Sequence, residues 1–119
     1  MGALRRFLQR VSESDEARLA AEIRSWSEGI SGSVRIADAK VREHVKLAGV
    51  VNRITVFPTA GSESLVALVS DGTGEVTVVF MGRRSIPGLS LGTRIVVEGV
   101  LGEQRGRRRL VNPRFEFTG

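Results

Sequence analysis

The chain is 119 residues long, carries a formal charge of +5 and contains no cysteine. That is room for one domain of ordinary size, whose core buries roughly 60–70% of the unfolded surface. A disulfide framework and thiolate chemistry are excluded, and no apolar run approaches the ~20 residues needed to span a bilayer.

The first elements read as helices. Leu4, Phe7, Leu8 and Val11 recur at helical spacing, with Arg5, Arg6, Gln9 and Arg10 opposite, which predicts a short amphipathic helix. Ser12 and Ser14 offer N-caps, and Glu13, Asp15 and Glu16 suit a helix N-terminus. A second helix is therefore expected to about Ser27, with Leu19, Ile23 and Trp26 on one face and Gly29 and Gly32 ending it. Both stripes read as surfaces that pack against the rest of the chain. The first helix is basic enough to touch a membrane surface, but it is short. The N-terminus lacks the apolar core of a secretory signal, and Arg6 stands where myristoylation requires Ser or Thr. A cytoplasmic location is expected, which the absence of cysteine suits. Ile30 to Ala39 is a connector of small residues.

From there on the periodicity is that of strands. The first runs from about Val41 to Phe57. Val45 and Leu47 share one parity and Ile54 and Val56 the other, the mark of a bulge, and Gly49 sits near the change. Phe57 to Ser62 is expected as a loop, and Ser64 to Ser70 as the second strand. Asp71-Gly72-Thr73-Gly74 is a hairpin turn leading into the third strand, Glu75 to Met81. There Val76, Val78 and Phe80 face the core, and Thr77, Val79 and Met81 face outward because Thr77 is the polar member. Gly82 to Leu89 is a loop with room for about one helical turn. The fourth strand runs from Thr93 to about Glu103, with Ile95, Val97, Gly99 and Leu101 on one face. After a turn at 103–107 comes the fifth, Arg108 to Phe117, interrupted by Asn112-Pro113 because proline cannot donate to a ladder.

Five strands without an ordinary crossover helix exclude a parallel α/β sheet. The expected fold is mainly β: a five-stranded Greek-key OB barrel preceded by one or two N-terminal helices. Residues 1–38 form the helical extension and connector, and residues 39–119 the barrel. Charge follows this division. The first part holds six basic and six acidic side chains, the second twelve basic and seven acidic, so the excess falls on the strands. It is mostly arginine, which suits bidentate phosphate contact and stacking on bases.

Little here points to catalysis. His44 is the lone histidine, with no cysteine beside it, so no metal site is expected. Asp71 has no base partner, and its ordinary role is to hydrogen-bond the backbone of its own turn. The glycines beside it lead into a strand rather than the helix of a phosphate loop. No enzyme and no cofactor is expected.

Gly49-Val50-Val51, Val69-Ser70-Asp71-Gly72-Thr73-Gly74, Val76-x-Val78-x-Phe80 and Leu91-Gly92-Thr93-x-Ile95-x-Val97-x-Gly99-x-Leu101 together resemble the OB-fold nucleic-acid-binding domains of the anticodon-binding type. The likeness covers about Val45 to Phe117, and the whole chain looks like the small stand-alone OB proteins of actinobacteria. It implies binding of single-stranded DNA or RNA across the second and third strands, clamped by the loops Phe57–Ser62 and Glu103–Arg109. The helix usual between the third and fourth strands is short or missing, and an N-terminal helix is expected to plug the barrel in its place.

On that fold, Arg105, Arg107, Arg108 and Arg109 form a positive cluster able to neutralise phosphates. Arg83 and Arg84 are a second candidate pair and Arg53 a third. Phe57 could stack a base, and Thr77, Val79 and Met81 would line the binding face. The rival reading is a protein-interaction module that docks a partner or a second copy through the barrel face and the N-terminal helices.

Overall fold

A computed structural model describes residues 2–59 and 61–118, and their side chains outside 4–13 and Thr59. The chain begins with one helix, α1 (Gly2–Glu28), rather than two. No glycine or proline interrupts residues 3–28, so nothing at Ser12 or Ser14 breaks the backbone ladder. It ends as expected at Gly29, whose N–H donates to Ser25 O and Trp26 O, followed by Gly32 at φ +80°. The stripe Leu4, Phe7, Leu8, Val11 lies outside the described side chains. A single 3-10 turn, Ile36–Asp38, follows.

Seven strands complete the chain: β1 (His44–Thr59), β2 (Ser62–Ser70), β3 (Glu75–Met81), β4 (Arg94–Val100), β5 (Gly102–Gln104), β6 (Arg107–Val111) and β7 (Arg114–Phe117). Their order in the sheet is β5-β6-β3-β2-β1-β4-β7. β4 and β5 are one run broken at Leu101, and β6 and β7 are one run broken at Asn112-Pro113. The five expected runs are thus all present. β1 pairs with β4 through its first half and with β2 through its second. β3 pairs with β6 in parallel, β6 also pairs antiparallel with β5, and β7 pairs antiparallel with β4. The runs therefore close on themselves as an OB barrel.

Long β1 can serve two neighbours because it bends. Its register shifts between Val51 and Arg53, so the extra residue is Asn52 and not Gly49. Gly49 has another job. A Cβ there would lie 2.7 Å from both Ser70 O and Val69 Cγ1. The oxygen belongs to the β1–β2 ladder and cannot retreat. Gly49→Ala is therefore expected to cost about 2 kcal/mol by overpacking, read as a lower urea midpoint with unchanged slope.

The core is the inward parity of each strand. Leu47, Ala67, Val69, Val76, Val78, Ile95 and Val97 are fully enclosed, and Phe80 is buried with them. Phe115 meets Phe80 edge-on at 5.1 Å and Phe117 at 5.7 Å. The break at Pro113 is bridged by Asn112: its N–H donates to Val79 O at 2.7 Å, and its Oδ1 accepts from Met81 N–H at 2.8 Å. The asparagine side chain thus continues the β3–β6 pairing where the backbone turns away. Asn tolerates the φ of +49° that this requires.

The barrel is plugged from the connector. Ile36 is fully buried among core residues, and Ala39 and Ile86 close the same cluster. No described part of α1 enters that core. Its last turns rest on the outside: Ser27 Oγ donates to Ala48 O at 3.0 Å, the Arg94 guanidinium lies 5.0 Å from the Trp26 ring centre, and Ala20 and Arg24 lie against Gly72. Further out, Leu19 is exposed, contrary to the packing expected of its stripe. The radius of gyration, 16.1 Å, exceeds the about 13.5 Å of a compact chain of this length, because the helix projects. No described helix is long and apolar enough to cross a membrane.

Candidate nucleic-acid interface

The outer face of β2 and β3 is laid out by register alone. The pair Ser70–Glu75 flanks the turn, and counting back gives Leu68 beside Thr77, Val66 beside Val79 and Ser64 beside Met81. β1 extends these rows with Arg53, Thr55 and Phe57. β6 extends two of them from the other side with Arg109 beside Thr77 and Val111 beside Val79. Because β1 and β2 stay paired out to Thr59 and Ser62, most of the loop expected at Phe57–Ser62 is ladder. Pro58 is tolerated there because β1 beyond Val50 has a neighbour on one side only.

The hairpin between β5 and β6 overhangs this surface. Gln104 pairs with Arg107, and the two residues between them, Arg105 and Gly106, both have positive φ, +53° and +77°. This is the primed turn that matches strand twist. Arginine is a strained choice for its first position, where Asn or Gly is usual. The turn sends the arginine-rich β6 back alongside β3.

A cleft of about 700 Å³ lies between sheet and hairpin. Phe57, Ser64, Val66, Thr77, Val79 and Met81 line one side, and Gln104, Arg105, Arg107, Arg108 and Arg109 line the other. Phe57 and Met81 are both about half exposed, at 51% and 52%, so a flat ring and a thioether stand open to the cleft mouth. Among the described residues, Arg105, Arg107 and Arg109 make no ion pair, which leaves their donors available. Arg108 differs: its Nη2 donates to Ala37 O at 2.9 Å and so ties β6 to the connector.

The structure therefore brings together eight of the residues singled out in the sequence and leaves three aside. Arg84 Nε lies 2.6 Å from Glu63 Oε2, an exposed ion pair outside the cleft lining. Arg83 is exposed beside it, and Arg53 occupies the row of Leu68 and Thr77 without reaching the cleft. Ser64 and Val66 escaped the sequence reading, and Gln104 fell within the expected loop Glu103–Arg109 without being singled out. The first two were accessible to it, since the Asp71–Gly74 turn sets the β2–β3 register.

Asp71 does not face the cleft. It is buried, and its carboxylate accepts four hydrogen bonds. Oδ1 takes Thr73 N–H at 2.9 Å, Thr73 Oγ1–H at 2.6 Å and Gly74 N–H at 3.2 Å; Oδ2 takes Ile36 N–H at 2.9 Å. The role expected within its own turn is joined by a tie to the barrel plug. Among the described residues, no three His, Cys, Asp or Glu side chains gather as a metal site would need.

Comparison with known proteins bears on this geometry. The model of the tRNA_anti-codon family, described as an OB-fold nucleic acid binding domain, matches residues 45–117. The chain belongs to this family. The matched span begins inside β1 and ends at the last residue of β7, so it takes in the sheet, the hairpin and the cleft. Among solved structures, a chain of a replication protein A heterotrimer bound to ssDNA is similar in fold. The TM-score is 0.52 at 17% identity, over 77% of this chain and 70% of that one. No match is found among curated proteins.

Proposed function

We propose that this OB-fold protein is a non-catalytic binding module for single-stranded nucleic acid, DNA or RNA, held in the cleft between the β2–β3 face and the β5–β6 hairpin. The observation that carries the reading is the pairing of an apolar floor with unpaired guanidinium groups along one wall. Arg105, Arg107 and Arg109 contact phosphates, while Val66, Met81 and the Phe57 ring offer flat area to bases above Val79, which is only 5% exposed. The family to which the chain belongs supports it, and so does the ssDNA bound by the replication protein A assembly of similar fold. Few hydrogen-bonding groups line the floor, Ser64 and Thr77 among them, so sequence preference is weak.

Contact with about three phosphates gives log K a slope of roughly −2 against log salt for a single strand. A labelled oligonucleotide should therefore lose roughly 20-fold in affinity between about 50 and about 200 mM salt. Absence of binding at the lower salt would overturn the proposal.

The strained turn supplies a second test. Arg105→Asn relieves an L-residue held at φ +53° and removes one cation. The variant should be more stable by about 0.5 kcal/mol, raising the melting temperature by a few degrees, while binding the oligonucleotide several-fold more weakly. A variant that gains stability and keeps full affinity would take Arg105 out of the interface.

A further inference from the structure

The β2–β3 hairpin carries two carboxylates at its turn, and they differ in what they touch. Asp71 is buried and accepts four hydrogen bonds. Glu75 opens β3 on its outer face, is exposed, and makes no ion pair among the described residues. Continuing the parallel register of Thr77 with Arg109 back by two residues brings Arg107 across from Glu75. A depression of about 360 Å³ lies there, lined by Leu68, Glu75, Thr77, Gly106, Arg107 and Arg108. It adjoins the cleft, with which it shares Thr77, Arg107 and Arg108. Among the described residues lining the two, Glu75 alone is acidic.

A carboxylate beside a phosphate track repels the backbone that the arginines attract. It favours a ligand only where that ligand turns N–H donors toward it. Here half-buried Leu68 gives an apolar floor. The carboxylate offers two acceptor oxygens on one side, and the Arg107 guanidinium offers donors on the other. No ion pair closes the gap between them. Guanine matches this arrangement. Its N1–H and N2–H lie side by side and meet both oxygens of a carboxylate, while its O6 and N7 accept from a guanidinium. Adenine and cytosine each set a ring-nitrogen acceptor beside the amino group, and a carboxylate repels it. Thymine and uracil offer a single N–H between two carbonyl oxygens.

We propose that Glu75 makes this end of the cleft select guanine, with the base lying on Leu68 between the Glu75 carboxylate and the Arg107 guanidinium. The proposal rests on single strands binding in the cleft, and it confines base preference to one position beyond a floor that reads little.

The test is a titration with labelled oligothymidine and with the same strand carrying one central dG, dA, dC or deoxyinosine. The dG strand should bind roughly 10-fold more tightly than the others. Deoxyinosine, which lacks the N2 amino group, should recover only part of that gain. Glu75→Gln should bind plain oligothymidine more tightly, because a like charge is gone, and should lose the preference for dG. The gain in affinity shows that this variant folds. Equal binding of the dG, dA and dT strands overturns the inference and leaves the cleft reading standing, as does a Glu75→Gln variant that still prefers dG. A preference for ribose over deoxyribose with every base, lost in Glu75→Gln, would give the carboxylate to the 2′-hydroxyl and overturn the guanine assignment. Failure of every strand to bind would overturn the cleft reading and the inference together.

Discussion

Replacing Arg105, Arg107 and Arg109 together by Ala should weaken binding of a single-stranded oligonucleotide by roughly 10- to 100-fold near 0.1 M salt, and should flatten the salt slope by about 2. The slope is the sharper readout. It counts phosphates neutralised, whereas affinity alone also falls if the cleft changes shape. The three side chains line one wall of the cleft and, among the described residues, make no ion pair. Their removal should therefore leave the melting temperature within about two degrees of the wild type, as for surface substitutions worth under about 0.5 kcal/mol. Arg108→Ala is the internal comparison. It loses the bond to Ala37 O, so it should lower stability by about 1 kcal/mol and alter binding little. An unchanged affinity and slope in the triple variant would end the cleft-wall reading. A larger binding loss in Arg108→Ala than in the triple variant would transfer the role to that residue.

Asp71→Ala should be the most destabilising single change in the barrel, at about 3–4 kcal/mol, a large share of the 5–15 kcal/mol typical of a domain. Asp71 is 1% exposed and accepts four hydrogen bonds. Removing it leaves the Ile36 N–H without its acceptor in a buried place, and it frees the turn between β2 and β3 as well. Asp71→Asn distinguishes the two effects. Its single carbonyl oxygen can serve Thr73 and Gly74, but its amide cannot accept from Ile36 N–H. It should therefore cost about 2 kcal/mol and release the plug selectively. Urea unfolding gives the energies, and hydrogen exchange at the Ile36 amide should quicken in both variants. An asparagine variant with wild-type stability would show that burial of the Ile36 side chain, not the tie to Asp71, holds the plug.

What could be read from the sequence follows the reach of each interaction. Strand alternation is local, so Val76, Val78 and Phe80 could be placed inside and Thr77, Val79 and Met81 on the other face; of these Val79 is nevertheless buried, at 5% exposure, because neighbouring strands cover it. The turn Asp71–Gly74 sets the register of its own hairpin. Proline's missing donor marks the break at Asn112-Pro113 wherever the strand lies. The site was legible to the same extent: the floor follows from parity, and the arginines from their density in one turn. The division of labour among those arginines was not. Arg108 and Arg109 are adjacent, yet one reaches a carbonyl 71 residues away and the other faces the cleft beside Thr77.

The sequence by itself thus determined the five strand runs, the hairpin that organises them, the outward face of β3 and the excess of arginine on the barrel. Each depends on residues a few positions apart. Tertiary structure alone decided that a connector isoleucine plugs the barrel, that Asp71 holds it across 35 residues, that β1 bends at Asn52, and that Ser14 to Leu19 of α1 are exposed. Ile36 has no periodic neighbours to announce it, and a bulge can slide along a strand until the second partner is present. Those choices are made only when the barrel closes, because only then do residues far apart in the chain compete for the same space.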